Sequence, residues 1–89
     1  LPKRKFYTMH EFFLVCPCSH ESLKEANRLR QLMQWRQVGM VWATLSGFSL
    51  TEAGKLFNKN HATVIHSQEM VKLALEGYHP ELQAYAKLF

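Results

Sequence analysis

The chain has 89 residues, 47% apolar and 20% charged, with a formal charge of +4. Such a composition fits one small globular domain with a single modest core; it excludes a disordered chain, and no apolar run is long enough to cross a bilayer. The basic start Lys3-Arg4-Lys5 is followed by Thr8, His10 and Glu11, which interrupt the apolar core a signal peptide needs, so a cytoplasmic location is expected.

The elements read as helices, with no convincing strand. Met9, Phe12 and Phe13 lie at i, i+3, i+4, which predicts a short amphipathic helix over 8–15. Pro17 stops it, and Ser19 or Ser22 is suited to cap a short turn around Leu23. A long helix is predicted over 27–46, with Val38, Val41, Trp42 and Leu45 as its buried stripe and Ser46-Gly47 as its end. Ser49 and Glu52 have capping-box spacing and open a helix over 49–57. Its inner face is Leu50, Ala53, Gly54 and Phe57. Gly54 within that helix costs about 1 kcal/mol against Ala, and close approach of a neighbouring helix is the expected compensation. Asn58-Lys59-Asn60 breaks the pattern, and Asn60 is placed to cap a helix over 61–76 with Val64, Ser67, Val71, Ala74 and Leu75 facing inward. Gly77 suits a left-handed C-terminal cap. Pro80 opens a last helix over 80–88, with Leu82, Tyr85, Ala86 and Phe89 inward. The expectation is one all-α domain spanning 1–89, a compact helical domain with a helix-turn-helix at about 49–76.

The charge is concentrated in the middle. Residues 24–60 carry Lys24, Arg28, Arg30, Arg36, Lys55 and Lys59 against Glu25 and Glu52 alone, whereas 61–89 carry Lys72 and Lys87 against Glu69, Glu76 and Glu81. This asymmetry favours a polyanion partner, although a solvated basic face would have the same composition.

The predicted helix at residue 61 has the features of a base reader. Its first turn offers Asn60, His61, Ala62 and Thr63, and Lys55 and Lys59 flank it as phosphate clamps. The N-terminus of the helix itself favours a phosphate. The structural alternative is an ordinary cap on a solvated turn. His66 reads as a packing residue or a phosphate contact. Cys16, Cys18, His20 and His10 are conceivable zinc ligands, but Cys-x-Cys spacing with no second ligand pair favours plain reduced thiols. No motif supports a nucleophilic cysteine. Trp35, Trp42, Phe12, Phe13 and Phe57 stand at helical spacing and read as core.

Several motifs together resemble one family. The run Asn60-His61-Ala62-Thr63-Val64-Ile65-His66 is similar to the signature that opens the recognition helix in the C-terminal DNA-binding domain, domain IV, of the bacterial replication initiator DnaA. Residues 36–45, from Arg36-Gln37 to Leu45, look like its long helix. Ser49-Leu50-Thr51-Glu52-Ala53-Gly54 looks like its Ser-Leu-x-Glu-Ile-Gly motif. The basic stretch 24–30 is similar to its Lys-Arg-rich loop, and Phe12-Phe13 and Phe57 fall where the family has aromatic residues. The resemblance implies a Trp-repressor-like helix-turn-helix that binds duplex DNA as a monomer. It further implies that the recognition helix reads the major groove and that Arg36 enters the adjacent minor groove. The expected DNA-binding residues are Arg28, Arg30, Arg36, Lys55, Lys59, Asn60, His61, Ala62 and Thr63. Double-stranded DNA is the expected partner, with other replication proteins beyond it. Neither membrane, small-molecule substrate, cofactor, metal nor enzymatic activity is expected. A helical protein-interaction domain that kept the fold without specific DNA binding is the alternative.

The departures bear on specificity. The family usually reads Gly-Arg-Asp-His where this chain has Asn58-Lys59-Asn60-His61. An acidic acceptor becomes a neutral amide, and Ala62 replaces a hydroxyl residue. A carboxylate accepts from cytosine N4, whereas Asn pairs bidentately with adenine, so a shift toward adenine is expected. Trp35 stands where a Pro often precedes the minor-groove Arg, so the long helix is expected to start earlier here. No Gly-x-x-x-x-Gly-Lys-[Ser/Thr] run occurs, which leaves a detached DNA-binding domain or a stand-alone relative.

Overall fold

The computed structural model describes residues 7–25, 29–78 and 82–89. Among them are the helices α1 (Met9–Val15), α2 (His20–Lys24), α3 (Arg30–Leu45), α4 (Leu50–Leu56), α5 (His61–Leu75) and α6 (Gln83–Ala86), and no strand. The domain is all-α, with α4 and α5 as a helix-turn-helix.

Helices α1, α2, α4 and α5 start at side-chain caps, whereas α3 and α6 do not. The hydroxyl oxygen of Thr8 accepts from Glu11 N–H, that of Ser19 from Ser22 N–H, and the Ser49–Glu52 capping box is closed in both directions. Of the two serines suited to cap α2, it is Ser19 that does so. The ends of α3, α4 and α5 share one device. After α3, Gly47 at φ 109° lets Phe48 N–H reach Ala43 O at 3.1 Å. After α5, Gly77 at φ 94° lets Tyr78 N–H reach Leu73 O at 2.8 Å. After α4 the left-handed residue is Asn58, at φ 57°, and Lys59 N–H reaches Gly54 O at 2.8 Å. All three are Schellman ends; Asn substitutes for Gly at the third because its short polar side chain tolerates the left-handed region.

Helix α3 is the central post. It packs against α5, α4, α1 and α2, and α5 also packs against α4 and α6. Phe12, Leu23, Val38, Met40, Trp42, Phe57 and Val64 are fully or almost fully buried around it. Each such side chain contributes about 1.5–3 kcal/mol of transfer free energy. Trp42 also donates its indole N–H to Thr8 O at 2.8 Å, which ties the start of α1 to α3. Trp35 stacks edge-on against Tyr85 at 4.9 Å and belongs to the core rather than to an exposed platform.

The structure corrects several details. Leu45, expected in the buried stripe, is 38% exposed. It is the last residue of α3 and lines an open apolar groove with Val41, Val71, Leu75 and Phe89. The last helix is only Gln83–Ala86, although Leu82 and Phe89 are buried as expected. Gly54 is compensated by the backbone of its own turn rather than by a neighbouring helix: a Cβ there would overlap Lys59 O and lie 3.2 Å from the Asn60 carbonyl. Helix α3 begins six residues before Arg36, in line with the early start expected from Trp35. The expected portions at 27–28 and 80–81 lie outside the described residues.

Candidate nucleic-acid interface

The turn from α4 to α5 is pinched around Gly54. Lys59 N–H bonds the Gly54 carbonyl on one side, while the Lys59 and Asn60 carbonyls press on the position a Cβ would fill. This fixes where Asn60 stands. Its Oδ1 accepts from Thr63 N–H at 3.1 Å and from the Thr63 hydroxyl at 3.3 Å. Asn60, His61 and Ala62 are exposed at the opening of α5, Thr63 is half-buried, and Val64 turns into the core.

Helix dipoles set the local field. The first turns of α1, α2 and α4 each contain a glutamate, whereas those of α3 and α5 contain no acid. The first turns of the two longest helices therefore carry no acid of their own against the helix dipole, which favours an external anion. Arg30 is exposed in the first turn of α3, and Lys55 is exposed in the last turn of α4.

A groove of about 310 Å³ runs between α3 and α5, lined by Met33, Arg36, Gln37, Met40, Lys59, Thr63 and His66. It brings together three of the residues singled out from the sequence: Arg36, Lys59 and Thr63. Lys55 lines a separate depression with Phe48, Glu52 and Leu56. Met33 and Gln37 were not picked out as site residues from the sequence; Met33 lies three residues before Arg36 and four before Gln37 on one helix, which was the available signal. Arg28 lies outside the described residues.

Arg36 is only 7% exposed. Its Nε donates to Leu23 O at 2.7 Å and its Nη2 to Glu25 O at 2.7 Å. Burial lowers its pKa from the usual arginine value. These two bonds close the C-terminal end of α2 with a cation, the favourable sign for that end. Entry of this guanidinium into a minor groove, as the resemblance implies, would require both bonds to open.

The cysteine region is built differently from a metal site. Cys16 is buried, its thiol donates to Cys18 O at 3.5 Å, and burial pushes its pKa up to about 11. His20 lies between the rings of Phe13 and Phe57, at 5.0 and 5.6 Å, and its Nε2–H donates to Leu56 O. That imidazole ties α2 to the end of α4. Among the described residues, no three His, Cys, Asp or Glu side chains converge as a metal site would require.

A family model described as the bacterial dnaA protein helix-turn-helix matches residues 15–71. The chain belongs to this family. The matched span contains α2, α3, α4 and most of α5. The chromosomal replication initiator protein DnaA of Thermosipho africanus (strain TCF52B) is 34% identical over 65 residues. That match covers 71% of this chain and 15% of the relative, so the chain spans only a small part of the initiator's length. No solved structure matches. In this DnaA-type helix-turn-helix, the turn and the opening of α5 carry the residues that the sequence singled out as base readers. No helix among the described residues is long and apolar enough to cross a membrane.

Proposed function

We propose that this chain is a sequence-specific, non-enzymatic, double-stranded DNA-binding domain acting in replication initiation or its regulation, with other replication proteins as further partners. The observation that carries the reading is the exposed opening of α5, where Asn60, His61 and Ala62 follow a turn packed closely on Gly54. A helix presented this way can enter a major groove with its first turn against base edges. Lys55, Lys59 and Arg30 are the phosphate clamps, aided by the acid-free first turns of α3 and α5. Thr63 holds the turn in shape through Asn60. Arg36 acts first as a brace between α3 and α2, adding positive charge to the wall of the groove.

The test is a titration of arbitrary duplex DNA at several salt concentrations. Affinity should fall steeply with salt, by about 0.9 in log–log slope for each phosphate neutralised. Lys55→Ala should weaken all sequences alike and reduce that slope by about one. Absence of binding at low salt would favour the alternative, a helical protein-interaction domain that kept the fold.

A further inference from the structure

The side chain of Asn60 has one acceptor atom and two donor hydrogens. The acceptor is already engaged. Both Thr63 N–H and the Thr63 hydroxyl donate to Oδ1, at 3.1 and 3.3 Å, which occupies its two lone pairs. The amide cannot be turned over without placing its NH2 group against the Thr63 N–H, donor to donor. Asn60 is exposed, so the part of it left for a partner is the NH2 group. An aspartate at the same cap would still have a second oxygen to present. Replacing the carboxylate by an amide therefore inverts the polarity of the exposed edge, from acceptor to donor.

Resting on the DNA-binding reading above, we propose that Asn60 makes this domain select a keto base, guanine or thymine, on the strand it faces. Guanine offers N7 and O6 as acceptors in the major groove, and thymine offers O4. Cytosine opposes the amide with its own N4 amino group. Adenine offers N7 beside an N6 amino group that finds no acceptor. The bidentate pairing with adenine expected from the sequence needs Oδ1, and the helix cap holds that atom. The backbone beneath the cap is closely packed: a Cβ on Gly54 would overlap the Lys59 carbonyl oxygen and lie 3.2 Å from the Asn60 carbonyl.

The experiment uses the full chain as wild type, N60D and N60S. Asp and Ser are both good N-caps, so α5 keeps its start in each variant. Sites are selected from a random duplex pool at one fixed salt concentration, then titrated with single-base variants. Wild type should enrich guanine or thymine at one position, with a preference over amino bases of about 2- to 12-fold, the span of one neutral hydrogen bond. N60D should move that position to cytosine or adenine. N60S, which caps but presents no amide, should flatten it and leave the flanking positions unchanged. An amino base in the wild-type site at the position that responds to N60D would overturn the proposal. So would retention of the wild-type preference by N60S. If wild type enriches no site and holds no duplex at low salt, the DNA-binding reading itself fails, which is a distinct outcome.

Discussion

Gly54→Ala is the most decisive perturbation of the scaffold. In an exposed helix this change gains about 1 kcal/mol of helix propensity. Here the new Cβ would overlap the Lys59 carbonyl oxygen and sit 3.2 Å from the Asn60 carbonyl. Both are main-chain groups, so no side chain can swing aside. Relief requires the turn to move, and the turn is held by the 2.8 Å bond from Lys59 N–H to Gly54 O. Overpacking of this kind costs about 1–3 kcal/mol, and a weakened hydrogen bond costs about 1 kcal/mol more. Set against the propensity gain, the net expectation is destabilisation by about 1–3 kcal/mol, or roughly 4–8 °C in Tm for each kcal/mol in a domain of this size. Thermal and urea unfolding followed by circular dichroism measure it. Duplex affinity measured well below Tm should fall as well, because the displaced turn carries Lys59 and Asn60. A variant as stable as wild type, or more stable, would refute the reasoning and show that the turn has room at this position.

Two further outcomes test the surrounding framework. Arg36→Ala should destabilise the fold by about 1–3 kcal/mol, because it leaves the carbonyl of fully buried Leu23 without its donor; an unchanged unfolding midpoint would mean that Arg36 is no brace and is available to a ligand. Glu52 has its pKa held below the ordinary 4.5, chiefly by the Ser49 backbone N–H and then by the Ser49 hydroxyl. A depressed carboxyl stabilises the fold above its unfolded value, and the contribution is lost as pH falls through the lower folded-state value. The stability difference between wild type and Glu52→Gln should therefore shrink below pH 4.5 in urea unfolding series; parallel pH profiles for the two proteins would count against the capping box.

The reader helix and its cap were legible because they are local. Asn60 capping Thr63, the Ser49–Glu52 box and the Gly77 end each involve residues no more than five apart, and chain geometry alone brings such groups together. Spacing also exposed the inner faces of α4 and α5, since period 3.6 fixes which residues share a side. Asn58 was less visible, because an Asn in a polar turn has no distinctive neighbour pattern until its positive φ is seen.

Tertiary structure decided how the polar groups are spent. Arg36 reads as a free cation on a helix, yet its acceptors Leu23 O and Glu25 O are 13 and 11 residues away on another element. His20 finds Leu56 O across 36 residues and cannot be told from a metal ligand by residue type alone. Even Asn60 was legible only as a residue. Which of its atoms is left for DNA depends on the cap being closed, and in the folded domain the Thr63 N–H and hydroxyl both take up its Oδ1. Periodicity follows from covalent geometry and is written in the chain. A lone pair or an N–H is free or engaged according to what folding brings within hydrogen-bonding reach, and that is a property of the packed domain.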